Sequence, residues 1–270
     1  MSGPGKTSFK QFDPMKLSIL IPVYNELATI RPLINLVVQA LPQIDKELVL
    51  VDDGSGDGTR ALLEEMFGPA LPEGDLIGAR PSALNSVAHA ENCSARLIFH
   101  EINKGKGGAI QTAMSACTGD VIAIQDADLE YDPEDLAIMF DLIARKKVAD
   151  VVYGSRFYGK PHRSLYYHHY LANRLISTIF NILFNQTLTD IEVCYKMFTR
   201  EVLETLSITC NDFGIEVQIS AQIARAGKWR IYETAIRYYG RTYDEGKKMN
   251  WKDGIKALGY LARFRVNPWR

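Results

Sequence analysis

The chain has 270 residues, 47% of them hydrophobic, which is enough to bury one large core or one domain with a small appendage. Its 31 Lys and Arg against 32 Asp and Glu leave a formal net charge of -1. Nothing in that balance points to a protein that coats nucleic acid, so any phosphate affinity has to be local.

Taken in chain order, residues 1–16 are polar, lack the apolar stretch of a secretion signal and are expected to form a loose arm. Gly5-Lys6-Thr7 within it has no upstream glycine at the right distance and no preceding strand, so a P-loop is set aside. Short apolar, β-branched runs predict strands at Leu17 to Val23, Leu48 to Val51, Leu97 to Phe99, Val121 to Ile124 and Val151 to Tyr153. Helical spacing occupies Leu27 to Leu41, Thr59 to Phe67, Gly107 to Cys117 and Pro133 to Lys146, the last opening with Asp132 as N-cap. Strand alternating with helix implies an α/β fold with a mostly parallel sheet covered on both faces. The 68–94 stretch is longer than an ordinary connection and is given no function.

Beyond Tyr153 a Gly, Arg, Tyr and His-rich loop leads into a helix with Leu171, Leu175, Ile179, Ile182 and Leu183 on one side. A helix over Ile215 to Ala226, a strand around Ile231 to Tyr239 and a helix over Asn250 to Phe264 follow. No run reaches the ~18 apolar residues of a membrane span, so the protein is expected to be soluble or to lie on a surface. The four cysteines are widely spaced and form no zinc-type cluster, which suits reduced thiols in the cytoplasm.

The chemistry gathers at the strand ends, where open α/β sheets bind ligands. Gln125-Asp126-Ala127-Asp128-Leu129-Glu130 follows the fourth strand, and if it continues extended Asp126, Asp128 and Glu130 project to one face. Three crowded carboxylates repel one another, and Mg²⁺ or Mn²⁺ is the natural compensation, able also to bridge a diphosphate. An acidic turn capping the next helix is the plainer alternative. Val51 to Thr59 carries Asp52 and Asp53, suited to a base or ribose, among glycines that allow close backbone approach. Asn103 to Ala109 opens a helix with Lys106, a combination that suits a phosphate. Ile21-Pro22-Val23-Tyr24-Asn25-Glu26 ends the first strand, and the four clusters matter jointly more than singly.

These four motifs resemble the family 2 inverting glycosyltransferases of GT-A fold, and within them the dolichol-phosphate and polyprenyl-phosphate mannose synthases. The resemblance spans roughly Leu17 to Asn250. It implies Pro22, Tyr24, Glu26, Asp52, Asp53 and Lys106 around a nucleotide-diphosphate sugar, and a divalent metal, Mg²⁺ or Mn²⁺, at Asp126, Asp128 and Glu130. The position of Glu130 is commonly Gln in the synthases.

In the second half, Gly154-Ser155-Arg156 and Arg241 to Lys248 resemble the synthases' acceptor-phosphate sites. Arg156, Arg174, Arg241, Lys247 and Lys248 are the candidates for gripping the phosphate, against the alternative of solvated surface. Glu216 and Asp190 resemble acidic positions where a base or acceptor contact lies, or else cap their helices. His162, His168 and His169 read as substrate-loop or interface residues.

The expected organisation is an arm over 1–16, a GT-A catalytic domain over 17–249 and an amphipathic, membrane-facing or packed helix over 250–270. The expected activity is transfer of mannose or glucose from a GDP- or UDP-sugar to a polyprenyl phosphate at the cytoplasmic membrane face. Transfer to a saccharide hydroxyl and nucleotide-sugar binding without turnover are the rivals. A nucleotidyltransferase would place a glycine-rich signature where this chain has Pro22 to Asn25.

Overall fold

The computed structural model describes residues 15–68, 90–164, 166–242, 251–267 and 269. Expectations for the arm before residue 15, for most of the 68–94 stretch and for Lys247 and Lys248 lie outside the described residues. So do the side chains of Trp251 and Ile255.

Seven strands form one sheet: β1 (Leu17–Val23), β2 (Lys46–Asp52), β3 (Cys93–Phe99), β4 (Val121–Ile124), β5 (Val151–Ser155), β6 (Lys196–Thr199) and β7 (Ile231–Ala235). Their order is β3-β2-β1-β4-β6-β5-β7. β1 lies parallel between β2 and β4, with Leu17 level with Lys46 on one side and with Val121 on the other. β6 is the antiparallel member, wedged between β4 and β5. Every residue of β2 and β4 is buried, which is why 48–51 and 121–124 read as unbroken apolar runs rather than alternating ones.

The helices are α1 (Ile30–Gln39), α2 (Thr59–Phe67), α3 (Gly105–Ala116), α4 (Leu136–Phe140), α5 (Tyr167–Phe184), α6 (Arg200–Leu203), α7 (Ile215–Ala226) and α8 (Trp251–Val266). The helix expected over Pro133 to Lys146 is divided into a 3-10 turn, α4 and a π-helical turn over Asp141–Arg145. Its start is as expected, since Asp132 accepts from the Glu134 N–H at 3.0 Å. The strand expected to reach Tyr239 ends at Ala235. β6 was not anticipated, because four residues beginning with a lysine give no periodic signal.

Polar ties hold the base of the sheet. Glu47 on β2 is buried, accepts from Ser18 Oγ at 2.7 Å and Thr118 Oγ1 at 2.8 Å, and pairs with Lys16 at 3.0 Å. Beside it Lys46 donates to the carbonyls of Val38 at 2.6 Å and Leu41, placing a cation at the C-terminal end of α1.

α8 packs on α5 and α7, burying Ala257, Leu261 and Phe264 and exposing Lys256, Arg263 and Arg265. On α5 the buried side is Ile176, Phe180 and Phe184, while Leu171, Leu175 and Ile182 are exposed. The apolar side read from the sequence is therefore partly turned to solvent. No helix among the described residues is long and apolar enough to cross a membrane.

Candidate active site

A cleft of about 740 Å³ opens beyond the C-terminal ends of β1 and β4. Pro22, Tyr24 and Glu26 enter from β1, Asp126, Asp128 and Glu130 from β4, Lys106 from α3 and Arg156 from β5. Glu216 on α7 and Arg241 beyond β7 complete the polar lining, so these expected site residues come together. Arg174 is half-buried on α5 and does not line the cleft. Asp52 lies beneath it, fully buried, with Oδ2 accepting from the Ser55 N–H at 3.3 Å.

The acidic segment after β4 does not continue extended. Leu129 takes a left-handed conformation at φ 62°, and Asp128 Oδ1 accepts from the Glu130 N–H at 3.1 Å, so the segment is a turn. Two cations hold its carboxylates. Asp126 lies 2.8 Å from Lys106 Nζ. Asp128 lies 2.9 Å from Arg241, whose guanidinium also faces Glu130 at 3.5 Å and Glu26 at 3.6 Å. Glu130 is occupied on both oxygens, accepting from the Arg241 N–H at 2.8 Å and from the Tyr238 hydroxyl at 2.9 Å. Burial, then Asp126 and Glu130, push the Asp128 carboxyl up to about 7, against the pull of Arg241.

Lys106 spans the cleft, reaching Asp126 on one side and Glu216 at 3.2 Å on the other. Burial opposes its charge, yet Asp126 above all holds its ammonium well above the usual lysine range. Glu216 in turn pairs with the buried Lys196 of β6, a residue the sequence reading had not singled out.

The N-terminus of α3, expected to present amides to a phosphate, is already satisfied. Asp53 Oδ1 accepts from the Lys104 N–H and Oδ2 from the Gly105 N–H, each at 2.8 Å. The Asn211 carbonyl accepts from the Gly107 N–H at 2.8 Å. A Cβ on Gly107 would stand 2.1 Å from the Cys210 carbonyl oxygen, so this glycine serves close packing of the 210–212 segment rather than approach of a ligand. Asp53 is further held by His100, whose Nδ1 lies 2.6 Å away, a buried partner with no motif to announce it.

Arg156 is likewise engaged: Nε donates to Asp190 Oδ2 at 2.6 Å and NH2 to Oδ1 at 2.7 Å. Asp190 is thus the bidentate partner of Arg156. His168 and His169 sit in the first turn of α5 rather than in the loop before it and line the cleft, whereas His162 lies outside. Glu192, two residues past Asp190, also lines the cleft, and burial raises its carboxyl to about 7.

Among the described residues no group of three or more His, Cys, Asp or Glu side chains is placed to hold an ion by itself. Mg²⁺ keeps several waters and takes one or two carboxylates plus substrate phosphates, so a pair of carboxylates is a sufficient protein share. Asp126 and Asp128 fit that share: Asp128 is crowded to about 7 by burial and by its neighbours, a strain of charge that a divalent cation relieves.

An α/β sheet with this order, carrying an acidic turn after β4 and a polar cleft at its strand ends, has the GT-A fold. The chain matches the family described as glycosyl transferase family 2 over residues 18–77 and 80–207, and it belongs to that family. A curated relative, the undecaprenyl-phosphate 4-deoxy-4-formamido-L-arabinose transferase of Proteus mirabilis (strain HI4320), is 24% identical over 234 residues. That match covers 86% of this chain and 62% of the relative, so the chain spans under two thirds of the relative's length. Among solved structures it is similar to glucosyl-3-phosphoglycerate synthase from Mycobacterium tuberculosis in complex with Mn²⁺, UDP and phosphoglyceric acid. There the TM-score is 0.62 at 18% identity, over 93% of this chain and 78% of the other. The same synthase with Mg²⁺ and UDP gives 0.61 at 18% identity, over 93% and 80%. At these identities the likeness shows the shared fold.

Proposed function

We propose that the protein transfers a hexose, mannose or glucose, from a UDP- or GDP-sugar to a polyprenyl phosphate, with inversion at the anomeric carbon and with Mg²⁺ or Mn²⁺ bound. The observation that carries the reading is Lys106, held between Asp126 and Glu216 in the middle of the cleft, beside the crowded Asp128. An ammonium fixed in this way is preorganised to meet negative charge growing on a departing diphosphate. A divalent ion held by Asp126 and Asp128 would supply further charge neutralisation there.

On this reading Tyr24, partly exposed at the cleft mouth, and Glu26 flank the nucleoside. Asp53 acts through α3, fixing the helix that carries Lys106. Arg156 and Arg241 face the acceptor, each first neutralising a carboxylate of the cleft. Ala257 and Tyr260 of α8 line the same cleft, so the catalytic unit includes that helix. The relative's undecaprenyl-phosphate acceptor supports a lipid phosphate here. The exposed Leu171, Leu175 and Ile182 of α5 suit a peripheral site on a membrane, at its cytoplasmic face if the donor is a cytoplasmic nucleotide sugar.

The test is transfer of radiolabelled sugar by purified protein from UDP-glucose or GDP-mannose to undecaprenyl phosphate in detergent, with Mn²⁺. The expected product is a chelator-sensitive glycosyl phospholipid. Donor binding without any transfer, to lipid or saccharide, would leave a nucleotide-sugar sensor and overturn the reading.

A further inference from the structure

Lys106 can meet a departing diphosphate in a fixed place only if the first turn of α3 holds still, and that turn is clamped from two sides. On the sheet side Asp53 accepts from the Lys104 and Gly105 N–H groups. On the other side stands the 210–214 segment, which leads into α7. The Asn211 carbonyl accepts from the Gly107 N–H at 2.8 Å and from the Gly108 N–H at 3.3 Å. Gln111, a turn further along α3, donates to the Cys210 carbonyl and to Asn211 Oδ1, each at 3.1 Å. Phe213 brings the centre of its ring to 5.8 Å from the Lys106 ammonium, and Glu216 in the first turn of α7 pairs with it at 3.2 Å.

This segment is itself braced from α8. The Tyr260 hydroxyl donates to Asp212 Oδ2 at 2.8 Å, while Asp212 Oδ1 accepts from the Gly214 N–H at 2.9 Å. The Tyr260 ring lies so close to the Gly214 backbone that a Cβ there would stand 2.5 Å from Cε2. Gly214 sits at φ -60°, a conformation open to any residue, so the ring and not the backbone demands a glycine. The fully buried Phe264 stacks on Tyr260 with 5.6 Å between ring centres and fixes where the ring can lie. Ala257, Leu261 and Phe264 supply the burial that seats α8, whereas Tyr260 is only half-buried. Its hydroxyl is therefore not needed to hold the helix in place.

We propose that Tyr260 is a positioning residue for transfer: seated on Gly214 and bonded to Asp212, it holds the 210–214 segment against α3 and so keeps the Lys106 ammonium where the diphosphate leaves. The inference rests on the transfer reading above and deepens it, adding α8 to the parts that place the counter-charge of the donor. Tyr260 acts through Lys106 and touches neither donor nor acceptor. An ammonium already in place needs no reorganisation as the bond to the diphosphate breaks. Loosening the brace therefore weakens the transition state more than the ground state, and it shows in kcat more than in binding. Seating of α8 on α5 and α7 is thereby tied to readiness of the donor half of the cleft.

The test titrates the full chain with UDP or GDP, whichever the wild type binds, in the presence of Mn²⁺ by calorimetry, and measures transfer alongside. Tyr260→Phe removes the hydroxyl and keeps the ring. It should lower the affinity about fivefold, the size of one hydrogen bond, and kcat by about tenfold. Its melting temperature and its KM for the acceptor should be unchanged. Gly214→Ala pushes the ring away from the opposite side and should repeat both losses. In a Lys106→Met background the effect of Tyr260→Phe on affinity should vanish, because no ammonium is left to place. The same loss with and without Lys106 makes Tyr260 a ligand contact and overturns the assignment, as does a raised acceptor KM at unchanged kcat. Early melting of Tyr260→Phe together with lost affinity makes it a packing residue and overturns it too. A Tyr260→Phe or Gly214→Ala protein that binds and transfers as the wild type does ends the inference and leaves the transfer reading standing. A wild type that transfers no sugar sinks that reading, and this inference with it.

Discussion

Arg241 stands 2.9 Å from Asp128, so a guanidinium from beyond β7 occupies the place among the acidic side chains after β4 where a divalent cation is expected. On the proposed reading the same arginine serves the acceptor phosphate, and its pairing with Asp128 would tie loading of the metal to readiness for the acceptor.

Removing that guanidinium should free the carboxylates for metal. Arg241→Gln is expected to raise Mn²⁺ affinity in the absence of nucleotide by about tenfold, roughly 1.4 kcal/mol. Electron paramagnetic resonance of free Mn²⁺ reads this directly, and transfer to the acceptor should fall at the same time. Unchanged Mn²⁺ affinity would mean that Arg241 does not compete with the ion.

Glu216 ties the cleft to the core through Lys106 and Lys196. Its partner Lys196 is fully buried, so Glu216→Gln strands an ammonium in the core, at a cost of about 3 kcal/mol. Thermal melting should show a large drop alongside any loss of activity. Replacing both residues, Lys196→Met with Glu216→Gln, should recover much of the melting temperature. A melting temperature that stays put in the single variant would contradict the pairing.

Glu47 predicts how the fold responds to acid. Burial favours its neutral form, but the Thr118 N–H, Ser18 and Lys16 outweigh that and take its carboxyl down to about 2 from 4.5. A carboxyl depressed in the folded state contributes stability that is complete above its unfolded value and is lost as pH falls through the folded one. The contribution should therefore decline between pH 4.5 and about 2. Glu47→Gln should remove that part of the acid dependence and destabilise the protein near neutral pH, as chemical denaturation across pH would show. An unaltered acid transition in the variant would refute the link.

Much of the first half was legible from residues close together in the chain. The apolar runs that became β1 and β4 announced buried strands, and the polar clusters at their ends had nowhere to lie except beyond the carboxyl edge of the sheet. Pro22, Tyr24, Glu26, Lys106, Asp126, Asp128 and Glu130 do meet there. The 103–109 run reads in the sequence as a helix start suited to a phosphate, and the purpose of its glycines is not legible there, because a glycine allows close approach without saying of what. In the folded chain that neighbour is the 210–212 segment, far along the sequence.

What the sequence determined by itself is the alternation of elements and the chemistry at each strand end, since both are written in local periodicity and local composition. What only the tertiary structure decided is which charge answers which. Arg241 and Asp128 are 113 residues apart, Lys106 and Glu216 meet from different helices, and β6 enters the sheet without a periodic pattern of its own. Burial and long-range Coulomb interaction depend on distance in space, and spacing along the chain carries no record of it.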